Sequence, residues 1–145
     1  MTTIERSIFI KAAPETVTAV TENAHRFPEW FTGVEKVEVV GDWPTVGSVV
    51  QMHMKSPGLA FKLTFTSLEH LAGEKFIARM EGLSNGTNAW HYKAKDGGTA
   101  VSYKLEYTLS DGAEGQAMDK LVAERANEIS IEQSLNNLKA VVEGE

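Results

Sequence analysis

The sequence predicts an α+β fold that runs as one strand, two short helices, six further strands and one long C-terminal helix. Three observations predict this order. Apolar and polar residues alternate in most segments between residues 34 and 109, as they do in strands with one buried face. Short sequences rich in glycine, asparagine and proline separate these segments, and such loops join antiparallel strands. After the glycine-rich residues 111–115, the pattern becomes that of a single helix.

The first segments predict a strand followed by two short helices. Residues 3–11 are rich in β-branched types, which favour a strand. Pro14 suits a first helical position, and Glu15 is favoured beside the positive end of a helix dipole. We therefore expect a helix from Pro14 to about Val20. A second short helical segment is expected over residues 25–31.

Six strands and the long helix are predicted for the rest of the chain. Turn chemistry sets several boundaries: we expect a type II turn at Ser56–Gly58 and hairpin turns at Asn85–Gly86 and Asp96–Gly98. The predicted strands cover residues 34–40, 48–55, 60–71, 75–83, 87–95 and 99–109, and the helix covers about 116–142.

Composition limits the possible classes of function. The 145 residues fit one domain, spanning 1–145, that is long enough to bury a core. A formal net charge of −6 opposes binding to nucleic acid or anionic lipid headgroups. Because the chain has no cysteine, disulfides and thiolate nucleophiles are excluded. The first residues lack signal-peptide features and no apolar run is long enough for membrane insertion, so we expect a cytoplasmic protein.

Strand alternation predicts a sheet with one solvated face and one face rich in aromatic residues and methionine. That apolar face must be covered, and the final helix is the only predicted element long enough to cover it. The strand residues predicted to point inward are Met52, Met54, Phe61, Leu63, Phe65, Phe76, Met80, Asn88, Trp90, Tyr92, Tyr103, Leu105 and Tyr107.

The long helix has an interrupted apolar stripe. Met118, Val122 and Ile129 belong to an apolar patch near its start, and a second patch lies near its end. Between the patches, three charged residues share one helix face: Arg125, Glu128 and Glu132. Either these charges reach water at the helix edge, or some of them face an internal polar space.

Several local sequences resemble the START-like superfamily (SRPBCC), and more narrowly its polyketide cyclase/dehydrase group. The similarity covers nearly the whole chain, and its motifs are structural. They are Ile10-Lys-Ala-Ala-Pro-Glu-Thr-Val17, Phe27-Pro-Glu-Trp30, Val34-Glu-Lys-Val-Glu-Val39, Val46-Gly47-Ser48, and Ser134-Leu-Asn-Asn-Leu-Lys-Ala-Val-Val-Glu143.

The resemblance implies a helix-grip fold, in which a curved seven-stranded antiparallel sheet wraps around the C-terminal helix and two short helices lie between strands 1 and 2. It also implies an apolar cavity between sheet and helix, with Trp30 serving both as a plug and as part of the wall. A tryptophan suits that role because it buries a large area with few rotatable bonds. Trp30, Met118, Val122, Arg125 and Ile129 therefore join the inward strand residues as candidate ligand-binding residues.

The sequence matches none of the common motifs for metal, nucleotide or serine-nucleophile sites. The four histidines lack the spacing of a metal site, and no glycine-rich nucleotide cradle or serine-nucleophile motif is present, so we expect no metal and no cofactor. Tyr92, Tyr103 and Arg125 are the catalytic candidates. The tyrosines are placed to donate hydrogen bonds to a carbonyl or enolate, and Arg125 to stabilise negative charge. An inward tyrosine more often makes a structural hydrogen bond.

Three functions remain open at this point. The first hypothesis is binding of a hydrophobic small molecule, such as a lipid, quinone, polyketide or aromatic metabolite, between sheet and helix. The second is a metal-independent polyketide cyclase, aromatase or dehydratase acting in the same cavity. The third is a protein-interaction module with a filled cavity. We expect a monomer or weak homodimer that binds no nucleic acid.

Overall fold

The fold is that of a computed structural model, which describes residues 1–56, 59–109 and 120–144, and within them all side chains except those of residues 56, 59 and 120–123. The elements are, in order, β1 (Thr2–Ile10), α1 (Pro14–Thr21), a 3₁₀ turn (Ala24–Arg26), α2 (Phe27–Trp30), β2 (Val34–Val40), β3 (Val49–Ser56), β4 (Leu59–Leu71), β5 (Lys75–Gly82), β6 (Ser84–Lys95), β7 (Gly98–Leu109) and α3 (Lys120–Glu143).

The seven strands form one curved antiparallel sheet in the order β1-β7-β6-β5-β4-β3-β2. Strand β1 pairs with the last strand, β7, so the chain enters the sheet at one edge and β2 forms the other. Two short helices lie between β1 and β2, and α3 follows the sheet. The predicted fold class, with this curved sheet and C-terminal helix, is confirmed. None of the helices in the described ranges has the length and apolar character needed to span a bilayer.

The turn predicted at Asn85–Gly86 is wrong. Both residues lie inside β6, opposite Thr108 and Tyr107 of β7, and the chain reverses earlier, around Leu83. The Asn85 side chain still acts on this reversal, because its amide bonds the backbone N–H and the carbonyl of Gly82, both at 3.3 Å.

Gly86 has a different role from the one that its sequence context suggests. A Cβ atom at this position would overlap the carbonyl oxygen of Glu106 on β7. The two backbones approach so closely that only glycine fits between them.

The other predicted turns have different outcomes. The hairpin turn expected between β6 and β7 is present, and Asp96 and Gly97 have positive φ values of 47° and 77°, as in a type I′ turn. The turn expected at Ser56–Gly58, the glycine-rich segment 111–115 and the predicted first residues of the long helix, 116–119, lie outside the described residues.

The core lies between the inward face of the sheet, the two short helices and α3. From α3, the side chains of Ile131, Leu135, Leu138 and Val142 are buried. Polar contacts hold this helix against its neighbours: the Ser134 hydroxyl accepts a hydrogen bond from the Thr32 backbone N–H at 2.9 Å. At the far end, the Lys139 ammonium donates to the Phe9 carbonyl at 2.7 Å.

The charged row of α3 reaches solvent along the edge strand β1. Arg6 of β1 lies 3.1 Å from Glu132 and 3.6 Å from Glu128, and Arg125 lies 3.0 Å from Glu128. A charged group is costly to bury without compensation, so this row runs where water reaches it. Of the two arrangements left open by the sequence, the structure shows the solvent-facing one.

Two residues predicted to face inward are therefore at the surface. The Arg125 side chain is 64% exposed, and Ile129, one turn later on the same side of α3, is 49% exposed. Burial of Ile131, Leu135, Leu138 and Val142 fixes the rotation of the helix about its axis, and the exposed pairing of Glu128 and Glu132 with Arg6 is compatible with that rotation. That rotation turns Arg125 and Ile129 away from the sheet.

We predict that Gly86→Ala lowers the free energy of unfolding by about 3 kcal/mol, because the new methyl group must displace the β7 backbone. Gly47→Ala is the control: this position has a positive φ of 93° but open space around it, so the cost there is about 1 kcal/mol. Urea unfolding of both variants measures the difference. Equal losses would contradict the close approach of β6 and β7.

Candidate ligand-binding site

The inward face of the sheet carries most of the side chains that the sequence predicts for a binding site. Phe61 is half-buried against the core. Met118 and the side chain of Val122 lie outside the described residues. The predicted residues that are buried are Trp30, Met52, Met54, Leu63, Phe65, Phe76, Met80, Asn88, Trp90, Tyr92, Tyr103, Leu105 and Tyr107.

An aromatic cluster occupies the centre of this face. Trp90 of β6 lies 4.6 Å from Tyr103 and 6.3 Å from Tyr92, measured between ring centroids. Helix α2 brings Trp30 against the same ring, edge-on at 5.7 Å. Phe31, which follows α2, extends the cluster toward β4 by contacting Phe65 at 6.4 Å. Edge-on and offset contacts of this kind are favourable between aromatic rings.

The sequence explains why α2 delivers this tryptophan. Pro28 occupies the first turn of α2, where its missing N–H costs no hydrogen bond, and the helix ends after four residues. Phe27 and Trp30 are three positions apart, so both side chains point to the same, buried side of this one turn. Their rings contact each other edge-on at 5.9 Å.

A polar pair lies within the aromatic surroundings. Asn88 is 2% exposed, and its Oδ1 atom accepts a hydrogen bond from the Tyr103 hydroxyl. Its Nδ2 atom has no hydrogen-bond partner among the described residues. The indole N–H of Trp30 is also buried and has no hydrogen-bond partner among the described residues. Two donors are thus buried without an acceptor, which costs about 1–3 kcal/mol for each group.

The tyrosine hydroxyls of the site make structural hydrogen bonds. The Tyr92 hydroxyl is 2.8 Å from Thr21 Oγ1 of α1, and the Tyr107 hydroxyl accepts a bond from Asn127 of α3 at 2.9 Å. Sequence reasoning missed Thr21 and Asn127, because neither belongs to an apolar repeat or to a known motif.

Burial also controls the ionisation of two of these phenols. It raises the pKa of Tyr92 and the pKa of Tyr103 above the ordinary value, because a phenolate in an apolar interior loses its solvation. Both residues therefore stay neutral near pH 7 and do not act as bases there.

Residues 1–143 match the family model described as polyketide cyclase / dehydrase and lipid transport. The chain belongs to this family. No curated protein sequence gives a significant match.

Many solved structures share the fold of this family member, at low sequence identity. TTHA0849 from Thermus thermophilus is 20% identical with a TM-score of 0.82, covering 99% of this chain and 98% of its own. The ZhuI aromatase/cyclase from Streptomyces sp. R1128 is 18% identical with a TM-score of 0.77, and the match covers 98% of this chain and 93% of ZhuI. The di-domain ARO/CYC protein StfQ from the steffimycin biosynthetic pathway is 19% identical with a TM-score of 0.79, covering 98% of this chain and 50% of its own.

We predict that the buried phenols make the protein less stable as pH rises above about 10. There the unfolded chain releases phenolic protons that Tyr92 and Tyr103 retain in the folded state, so the free energy of unfolding falls with pH. Below that pH, both states hold these protons and the effect vanishes.

Tyr103→Phe tests this linkage by removing one of the titrating groups. Urea unfolding across this alkaline range measures the slope of stability against pH. The variant should reduce the slope by up to about 1.4 kcal/mol per pH unit. An unchanged slope would contradict the burial of the Tyr103 hydroxyl.

Proposed function

We propose that this protein binds an apolar small molecule carrying a hydrogen-bond acceptor, such as a carbonyl or hydroxyl oxygen, between the inward face of the sheet and α3. The observation that carries the proposal is the pair of buried donors, Asn88 Nδ2 and Trp30 Nε1, which lack acceptors among the described residues. A ligand oxygen would supply the missing bond at one or both of them.

The surroundings of these donors suit an apolar ligand. Trp30 and Trp90 bring large aromatic surfaces close to the polar pair of Asn88 and Tyr103. Apolar burial contributes about 25 cal/mol per Å², so it supplies most of the affinity, while the donors orient the polar end. Membership of a family described by polyketide cyclase, dehydrase and lipid transport supports the same class of ligand.

The hydrogen bonds, ionisation and exposure of the three catalytic candidates favour binding over catalysis. Tyr103 already donates a hydrogen bond to Asn88 Oδ1, and the Tyr92 hydroxyl is hydrogen-bonded to Thr21. Burial raises the pKa of both phenols, which makes them weaker proton donors and also leaves neither ionised as a base near neutral pH. Arg125 is exposed on α3 and pairs with Glu128, away from the aromatic cluster. None of the three is poised to transfer a proton or to stabilise charge in the interior.

A matched pair of probes tests the proposal: 2-acetylnaphthalene, which carries a carbonyl oxygen, and 2-ethylnaphthalene, which has nearly the same shape without it. Quenching of tryptophan fluorescence measures both affinities. We predict that the ketone binds about tenfold more tightly, corresponding to one net hydrogen bond of about 1.4 kcal/mol. Equal affinities, or no saturable binding of either probe, would contradict the proposal.

Substitution identifies the donor responsible. Asn88→Leu should remove the preference for the ketone and leave the ethyl compound bound, because the leucine keeps the volume and loses the donor. Trp30→Phe should reduce the preference in the same direction while retaining an aromatic ring. Asn136→Leu, at an exposed position of α3, is the control and should leave both affinities unchanged. A preference that survives both Asn88→Leu and Trp30→Phe would overturn the assigned role of these donors.

A further inference from the structure

A concave surface lies outside the aromatic face of the sheet. It is a cleft of about 480 Å³ between the C-terminal half of α1, the 3₁₀ turn and the connection from β2 to β3. This volume is within the range of small-molecule sites. None of the residues lining it belongs to the interior candidate site, so the binding function proposed above does not account for it.

The charges around this cleft favour a cation. Glu22 and Asp42 contribute two carboxyl groups and His25 contributes an imidazole, and no lysine or arginine is among the lining residues that the structure describes. The cleft also borders the last turn of α1, which includes Thr18 and Ala19. A helix C-terminus carries partial negative charge and favours a nearby cation.

Glu22 is held in place and is incompletely partnered. Its Oε1 atom lies 3.0 Å from His70 Nε2 on β4, and its side chain is only 12% exposed. Its Oε2 atom is buried and has no hydrogen-bond partner among the described residues. Burial raises the pKa of Glu22, although the hydrogen bond from His70 opposes this shift. A desolvated carboxylate of this kind gains more from an added cation than a solvated one does.

Trp43 forms the apolar side of the cleft. Its ring packs edge-on against Phe76 at 5.3 Å, which fixes the orientation of the indole. Its Nε1 atom is also buried without a partner among the described residues. An indole beside two carboxyl groups suits a ligand that joins an ammonium group to an apolar body, since ammonium groups are attracted to tryptophan faces as well as to carboxylates.

We propose that this cleft is a second binding site, specific for a small organic amine whose ammonium group pairs with Glu22 and whose apolar body packs against Trp43. The two sites differ in chemistry. The interior presents uncharged donors to an acceptor-bearing apolar ligand, whereas the cleft presents carboxyl groups to a cation.

Two probes of similar shape test the assignment: phenethylamine, which carries an ammonium group, and 2-phenylethanol, which is uncharged. Chemical shifts of backbone amides and the Trp43 indole N–H, followed by ¹H–¹⁵N NMR at pH 8, locate binding and measure affinity. We expect saturable shifts at Ala24, Gly41 and Trp43 with the amine, and at least about tenfold weaker binding of the alcohol. Added salt should weaken binding of the amine.

Two variants test whether the Glu22 carboxylate binds the amine. Glu22→Gln preserves an acceptor for His70 and removes the charge, and we expect it to weaken phenethylamine binding about tenfold. Ala19→Lys, at an exposed lining position three residues before Glu22, introduces a competing ammonium group and should have the same effect while keeping the Glu22 carboxylate. Glu35→Gln removes an exposed carboxylate at the other end of β2 and should leave binding unchanged.

Three results would overturn this proposal. They are equal binding of the amine and the alcohol, amine-dependent shifts confined to the interior tryptophans, and full affinity in both Glu22→Gln and Ala19→Lys. Each of these results leaves the interior site untouched, because the naphthalene probes report on that site separately.

Discussion

Covering the inward face of the sheet is the constraint on which this structure depends. Seven strands place aromatic rings and methionine side chains on one face, and water around so much apolar surface is unfavourable. Helix α3 covers part of that face with Leu135 and Leu138, and α2 adds Trp30. The salt bridges from Arg6 to α3 lie along the rim of this contact, where exposure to water leaves them little free energy to contribute.

Polar groups buried in the inward face require hydrogen-bond partners. Some of them have such partners, and others have none among the described residues. Tyr92 and Tyr107 are satisfied by Thr21 and Asn127, so these two phenols link the sheet to α1 and α3. Asn88 Nδ2 and Trp30 Nε1 find no acceptor within the part of the chain that the structure describes, and they lie in a region of large aromatic surfaces. If this region served only for packing, replacing both Asn88 and Tyr103 with apolar side chains of similar shape would be nearly neutral or stabilising, whereas replacing Asn88 alone would leave the Tyr103 hydroxyl without its acceptor. The donors that Asn88 and Trp30 retain are the observation behind the proposed ligand.

Much of this arrangement could be predicted from alternation alone. Asn88, Trp90 and Tyr92 alternate with polar residues along β6, and all three are buried as expected. Other features depend on contacts between distant segments. The hydrogen bond between Glu22 and His70 joins residues that are 48 positions apart, so no local pattern indicates it. Helical periodicity placed Ile129 with the apolar patch, yet α3 buries the opposite side, which carries Leu135 and Leu138, and leaves Ile129 exposed.

Ligand binding at the buried donors of Asn88 and Trp30 is tested most directly by a ¹⁵N-edited nuclear Overhauser experiment on the protein saturated with 2-acetylnaphthalene. We expect contacts from the ligand protons to the Asn88 side-chain amide and to the indole N–H of Trp30. Both donor resonances should shift downfield because the ligand supplies a new acceptor. Ligand contacts restricted to exposed apolar residues such as Val40 and Leu71, with the Asn88 and Trp30 resonances unmoved, would contradict it.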